Sequence, residues 1–172
     1  AYFYLEAYKL RAYEKNEVSN FTINATCSGL DLLRIETISP GVVTHVIPNG
    51  VDTGFFSANS NITPDPYYLV FIGGMSWYPN REAMLFFARE VWPLLKKKIP
   101  GIHMHVVGET PPDEMIELAK IDSNYHVHGF VDDIKNIFYK AGIYVCPISD
   151  GGGTKLKILD ALAMGKPIVA NE

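Results

Sequence analysis

Cysteine is scarce in this chain: two in 172 residues, Cys27 and Cys146, far apart in sequence. Neither has a partner at metal-ligand spacing, and so few thiols cannot build a disulfide framework. A reducing compartment, and so a cytoplasmic location, is the expectation. Long apolar runs are missing too: no stretch reaches the roughly 18 residues of a membrane span, and no signal peptide is evident. Nor is there an excess of positive charge. Lys and Arg number 15 against 19 Asp and Glu, a formal net charge of −4, which argues against nucleic acid as the main partner. Repeats and low-complexity tracts are also absent. What remains is an ordinary globular mixture, 48% hydrophobic and 20% charged, enough for a sizeable core. The chain opens inside a helical pattern and stops just past a strand, so a piece of a larger polypeptide, truncated at both ends, is expected.

The most informative stretch is residues 143–170. An apolar run at 143–146 reads as a buried parallel strand. Pro147 ends it, and Asp150, Gly151, Gly152, Gly153 and Thr154 follow as a loop. Residues 155–164 have helical spacing, Gly165 is a stop signal, and 168–170 start another strand. Three successive glycines place no side chain between backbone and ligand, and their N–H groups can form an anion-binding nest. The following helix points its positive end at the same place. Thr154 can cap that helix or donate to a phosphate oxygen. Lys155 and Lys157 add cationic charge. Asp160 lies too far inside the helix to help bind phosphate but can accept hydrogen bonds from a ribose diol. Diphosphate plus sugar hydroxyls describes a nucleotide sugar. An ordinary loop with two solvated lysines is the competing reading on these residues alone.

Along the chain, 1–15 reads as helix, 18–25 as strand, 26–36 as helix with Thr26 or Ser28 as cap, and 42–47 as strand. Residues 57–66 are polar and carry prolines, and read as a linker between domains. From 67 the rhythm becomes strict strand–helix alternation: strand 67–72, a long helix 81–98 capped by Asn80, strand 102–107, helix 113–120, strand 125–128, and a helix to Ala141 capped by Asp132 or Asp133. This predicts an α/β, Rossmann-like doubly wound parallel sheet. Ligands of such sheets bind beyond the carboxyl ends of the strands. Those ends carry Gly73, Gly74 and Met75, then Gly108 and Glu109, then Gly129 and Phe130, then Cys146 through Thr154.

Taken together, the motifs VIPNGVDTGFF (46–56), VFIGGMSWYPN (70–80), VVG (106–108), HGFV (128–131) and GGGTKLKILDALA (151–163) resemble the retaining glycosyltransferases of the GT-B fold, in the group 1 (family 4) class. The resemblance covers nearly the whole chain. It implies residues 1–56 as the end of an acceptor domain with the connection, 57–66 as linker, and 67–172 as an incomplete nucleotide-sugar-binding domain. The implied activity is transfer of a hexose from a nucleoside-diphosphate sugar to a glycan or lipid-linked acceptor, with retention, as in polysaccharide biosynthesis. The implied donor site comprises Gly73, Gly74, Met75, Arg81, Glu109, His128, Phe130, Val131, Gly151, Gly152, Gly153, Thr154 and Lys157, with Lys155 and Asp160 as the catalytic pair. Asn49 and Asp52 are expected at the cleft between domains. The family usually shows two glutamates here, and this chain has Gly152 and Asp160 in their places, so backbone amides are expected to hold the diphosphate. No metal or other cofactor is implied. A binding module without turnover and a nucleotide-sugar epimerase are the alternatives.

Other groups carry weaker signals. His103 with His105, and His126 with His128, alternate on two strands. Four imidazoles could make a zinc site, but no sequence-local carboxylate or cysteine completes it, and solvated or core histidines are expected. Cys146 reads as a small buried residue rather than a nucleophile. Lys96, Lys97 and Lys98 end a helix where cations suit its dipole; contact with an anionic membrane surface is the alternative role. Trp77 and Tyr78 either stack on a ligand or cap the core.

Overall fold

The computed structural model describes residues 2–150 and 155–171. They divide into two compact units, residues 1–50 and, for the most part, residues 51–171.

In the first unit, α1 (Tyr2–Glu17) leads through a short 3-10 turn (Val18–Asn20) to β1 (Asn24–Thr26), α2 (Gly29–Ile38) and β2 (Thr44–Val46). β1 and β2 pair in parallel, Asn24 opposite Thr44. Ser28 is the cap of α2, its hydroxyl accepting from the Asp31 amide at 3.1 Å, as the sequence suggests. The strand expected at 18–25 is shorter and later. The Asn24 side-chain Nδ2 donates to the Val18 carbonyl at 3.1 Å, closing the turn where alternation alone reads as strand.

The second unit is a five-stranded parallel sheet flanked by helices. Its strands are β3 (Asp65–Ile72), β4 (His103–Val107), β5 (Tyr125–Gly129), β6 (Ala141–Cys146) and β7 (Ile168–Ala170), in the order β5-β4-β3-β6-β7. Between them run α3 (Tyr78–Phe86), α4 (Trp92–Lys98), α5 (Asp113–Ile121), α6 (Lys135–Lys140) and α7 (Leu156–Ala163). The order reverses between β3 and β6, which makes the carboxyl end of β3 the topological switch point, where ligands of such sheets sit. Val70, Phe71, Met84, Met104, Met115, Phe138, Tyr144 and Ala161 are fully buried between sheet and helices. Cys146 is buried as well.

The long helix expected at 81–98 is present but starts earlier and is not regular. Pro79 sits within its first two positions, where a missing N–H costs nothing, so the helix begins at Tyr78 rather than after Asn80. A π-turn, Phe87–Val91, then joins α3 to α4. It lies just before Pro93, which cannot donate back to the preceding turn. Beyond it, Trp92 donates to Asp122 at 3.0 Å and Lys96 pairs with the same carboxylate at 2.5 Å. Burial works to raise the Asp122 carboxyl, but hydrogen bonds from Lys96, the Asn124 amide and Trp92 outweigh it and hold it low. Arg89 and Glu114 form an exposed ion pair linking this region to α5. Lys96 is thus engaged within the fold.

Candidate functional site

The carboxyl end of β3 is built by close backbone approach. The Gly73 amide donates to the Val107 carbonyl at 2.8 Å, the Gly108 amide to Gly129 at 2.8 Å, and the Met75 amide to Glu109 at 2.9 Å. At Gly108 a Cβ would stand 2.1 Å from the Gly73 carbonyl oxygen, and its φ is +152°, so no other residue fits. The strand ends therefore lie edge to edge with bare backbone at their tips. The Glu109 side chain packs beside Gly74, its Cγ 3.4 Å from where a Cβ would be.

Two side chains converge on Gly73. A Cβ there would lie 2.8 Å from Lys157 Nζ and 2.9 Å from Asn80 Nδ2. Lys157, from the first turn of α7, donates to Asn80 Oδ1 at 2.7 Å, and Asn80 donates to the Gly74 carbonyl at 2.7 Å. The ammonium also lies 5.2 Å from the Phe71 ring centroid. Asn80 is 5% exposed, so its amide is fixed on both sides and acts as a jig for the lysine. Being uncharged, it positions the ammonium without neutralising it. The sequence pattern offers Asn80 as a helix cap; in the structure the helix has already begun, and the amide instead turns back to the glycine turn.

Asp160 follows Lys157 by three residues on α7, on neighbouring helical positions. It is half-buried, and burial pushes its carboxyl up from the ordinary range. Tyr144 lies buried below, donating to the Ile72 carbonyl at 3.3 Å. Burial, with Cys146 and Asp160 as smaller contributors, raises the Tyr144 hydroxyl well above its usual value. A groove of about 400 Å³ opens between the first turn of α3 and the end of β6, lined among others by Pro79, Glu82, Phe86 and Asp150.

The structure thus brings together Gly73, Gly74, Met75, Glu109 and Lys157. Arg81, on the first turn of α3, pairs with its neighbour Glu82 at 3.3 Å and lies 5.6 Å over the Tyr78 ring. Trp77 and Tyr78 are 65% and 55% exposed, so neither caps the core. Phe130 is exposed and Val131 packs on the core beyond the end of β5. Lys155 is half-buried just ahead of α7. Asn49 belongs to the first unit and Asp52 to the second; Asp52 Oδ1 accepts from the Gly54 and Phe55 amides, both at 2.9 Å. The expectations for Gly151, Gly152, Gly153 and Thr154 lie outside the described residues.

His128 does not stand alone. Its Nε2 is 2.9 Å from His105 Nδ1, and His103 Nδ1 is 3.4 Å from His126 Nε2. Register places His105 opposite His126 on β4 and β5. Burial, then His126, His128, His103 and Lys140, push His105 down to about 3. Burial, with help from neighbouring imidazoles, lowers His126 and His128 too. His105, His126 and His128 are therefore biased toward the neutral imidazole. Among the described residues no helix is long and apolar enough to cross a membrane.

A family model for glycosyl transferases group 1 matches residues 66–172. No curated protein sequence matches the chain. Among solved structures it is similar to a variant of S. aureus TarM in complex with fondaparinux, α-GlcNAc-glycerol and UDP (18% identity, TM-score 0.74, covering 94% of this chain and 32% of that one). It is also similar to sucrose-phosphate synthase from Thermosynechococcus elongatus (17%, TM-score 0.71, 93% and 43%). A third is Anabaena HepE in complex with UDP and glucose (14%, TM-score 0.65, 93% and 48%). The likeness at these identities is one of fold. The chain spans between about a third and a half of the length of these proteins.

Proposed function

The chain belongs to the group 1 glycosyl transferases, and from that we propose that residues 67–172 form the donor-binding half of a retaining GT-B hexosyltransferase using a UDP-sugar. The observation that supports this is the convergence of Lys157, Asn80 and Gly73 at the sheet's switch point. A fixed ammonium beside bare backbone suits a diphosphate. Uridine is the base favoured, since the TarM and HepE structures hold UDP. In this reading Asp160 accepts the ribose hydroxyls, His128 to Val131 serve the base, and the amides of 151–154 with Lys155 are assigned to the diphosphate. Glu109 and Arg81 border the donor, and Asn49 and Asp52 belong to the interdomain connection. Residues 1–56 are read as the end of the acceptor domain.

The chemistry follows from placement of charge. The bond from the anomeric carbon to the β-phosphate oxygen breaks, and UDP leaves with the electron pair. A new bond forms to an acceptor hydroxyl on the same face of the sugar, and the hydroxyl proton passes to a base outside this half. Positive charge develops on the sugar and negative charge on the leaving oxygen. In this reading Lys157, held by Asn80, takes that oxygen, so little reorganisation is needed as the bond breaks. In this reading no metal takes part in transfer. A glycan or a lipid-linked acceptor is the second substrate, with Lys97 and Lys98 available to an anionic membrane surface.

The test is calorimetric titration of the chain with UDP, GDP, ADP and dTDP and their sugars in metal-free buffer, beside Lys157→Ala and Asp160→Ala. UDP should bind. Loss of one charge-assisted hydrogen bond in either variant should weaken it roughly ten- to a hundredfold. If a chain shown by circular dichroism to be folded binds none of the nucleotides, the donor-site reading of this chain is overturned.

A further inference from the structure

Four of the chain's five histidines stand on one face of two adjacent strands. Side-chain alternation puts His103 and His105 on the same face of β4 and His126 and His128 on the same face of β5. Parallel pairing then sets His105 directly across from His126, at a strand separation of roughly 4.8 Å. We propose that this face binds one divalent ion of the zinc class, with His103, His105 and His126 as ligands.

Each of these three imidazoles offers a nitrogen within 4.8 Å of the other two. Nitrogens bound tetrahedrally at about 2.05 Å stand about 3.4 Å apart, and His103 Nδ1 and His126 Nε2 are 3.4 Å apart already. The third ligand needs a further approach of at most about 1.4 Å. His105 now stacks on His126 with centroids 4.3 Å apart, so binding turns one of these half-buried rings about its side-chain torsions. His105 is oriented from two sides: Tyr68 stacks on it at 3.7 Å and 5°, and its Nδ1 meets His128 Nε2 at 2.9 Å. If His105 donates that bond, its Nε2 is left as the free acceptor. Partners that hold the second nitrogen of a ligating histidine are what metal sites use to set tautomer and direction. An all-imidazole set suits zinc, copper or nickel and discriminates against magnesium and calcium. The ion would tie β4 to β5 on the face of the sheet, as a structural staple.

The experiment is titration of the chelator-treated chain with zinc chloride, with magnesium and calcium as controls. One zinc per chain is expected. His103→Ala and His126→Ala should each weaken it at least tenfold, while His45→Ala, which removes the fifth histidine on β2, should leave it unchanged. Absence of zinc binding by the folded wild-type chain, or binding indifferent to both substitutions, would overturn the site. Should the variants fail to fold, the cobalt form of the wild-type chain decides. Intense visible bands of tetrahedral nitrogen-bound cobalt support it, and only the pale six-coordinate spectrum sinks it. Nucleotide binding is read in metal-free buffer, so either proposal can fail without the other.

Discussion

One methyl group separates two glycines at the strand ends. A Cβ at Gly108 would meet the Gly73 carbonyl oxygen at 2.1 Å, whereas at Gly129, with φ +66°, it would meet nothing within 4 Å. Gly129→Ala should therefore cost only the left-handed backbone penalty, about 1–2 kcal/mol, and Gly108→Ala at least ~3 kcal/mol. Urea denaturation of both variants reads the difference; equal costs would mean that β3 and β4 do not approach as described. Asp160 offers a test of another kind. Its folded pKa is raised, so the native state favours the protonated form. That contribution to stability is present below the unfolded pKa and lost as pH rises through the folded value. At pH 7 the carboxylate is thus held at a cost. Asp160→Asn should raise the melting midpoint at pH 7, with the gain shrinking in acid, while weakening UDP. The glycine ends were legible in the sequence because few residue types suit a backbone that must approach so closely. Asn80 was not, because an asparagine ahead of a helix looks the same whether it caps the helix or clamps a lysine from another element.

The elements with one dominant signal were legible: β4, α5, β6 and α7 lie within two residues of where apolar runs and helical spacing place them. Where two signals compete, the pattern misleads. Residues 18–25 alternate like a strand, yet Asn24 bonds to the Val18 carbonyl and the ladder with β2 spans only three residues. The π-turn before Pro93 leaves no periodic trace either. The pin between α4 and the end of α5 is likewise invisible locally, since Trp92 and Asp122 are 30 residues apart. Trp92→Phe keeps a ring in the core but removes the indole donor. Asp122 retains Lys96 and the Asn124 amide, so the expected cost is about 1–3 kcal/mol rather than loss of folding. A Trp92→Phe chain as stable as wild type in urea would show that the indole bond contributes nothing.

At the scale of the whole molecule, the doubly wound sheet was legible because alternating strands and helices with short connections admit few topologies. The two histidine pairs were legible as alternating positions on two strands, but their juxtaposition was not, because the register between β4 and β5 is set by the packing of the entire second unit. That face should govern the acid response of the metal-free chain. His105 is driven to about 3 and His126 and His128 are lowered, while in the unfolded chain each takes up a proton near 6.5. Between those values the unfolded state holds more protons than the native one, so stability is fully present above pH 6.5 and is lost as pH falls toward 3. Each unmatched proton steepens the loss by up to about 1.4 kcal/mol per pH unit. Tyr68, Lys140 and the other three imidazoles face His105. A phenyl ring keeps the Tyr68 stack and cannot be protonated, so His105→Phe should flatten the decline between pH 6.5 and pH 4. Urea midpoints across that range, with chelator present, measure it. A variant that declines as steeply as wild type would place the acid sensitivity elsewhere, in the carboxylates, and would mean that the imidazoles on β4 and β5 are open enough to water to protonate in the folded state.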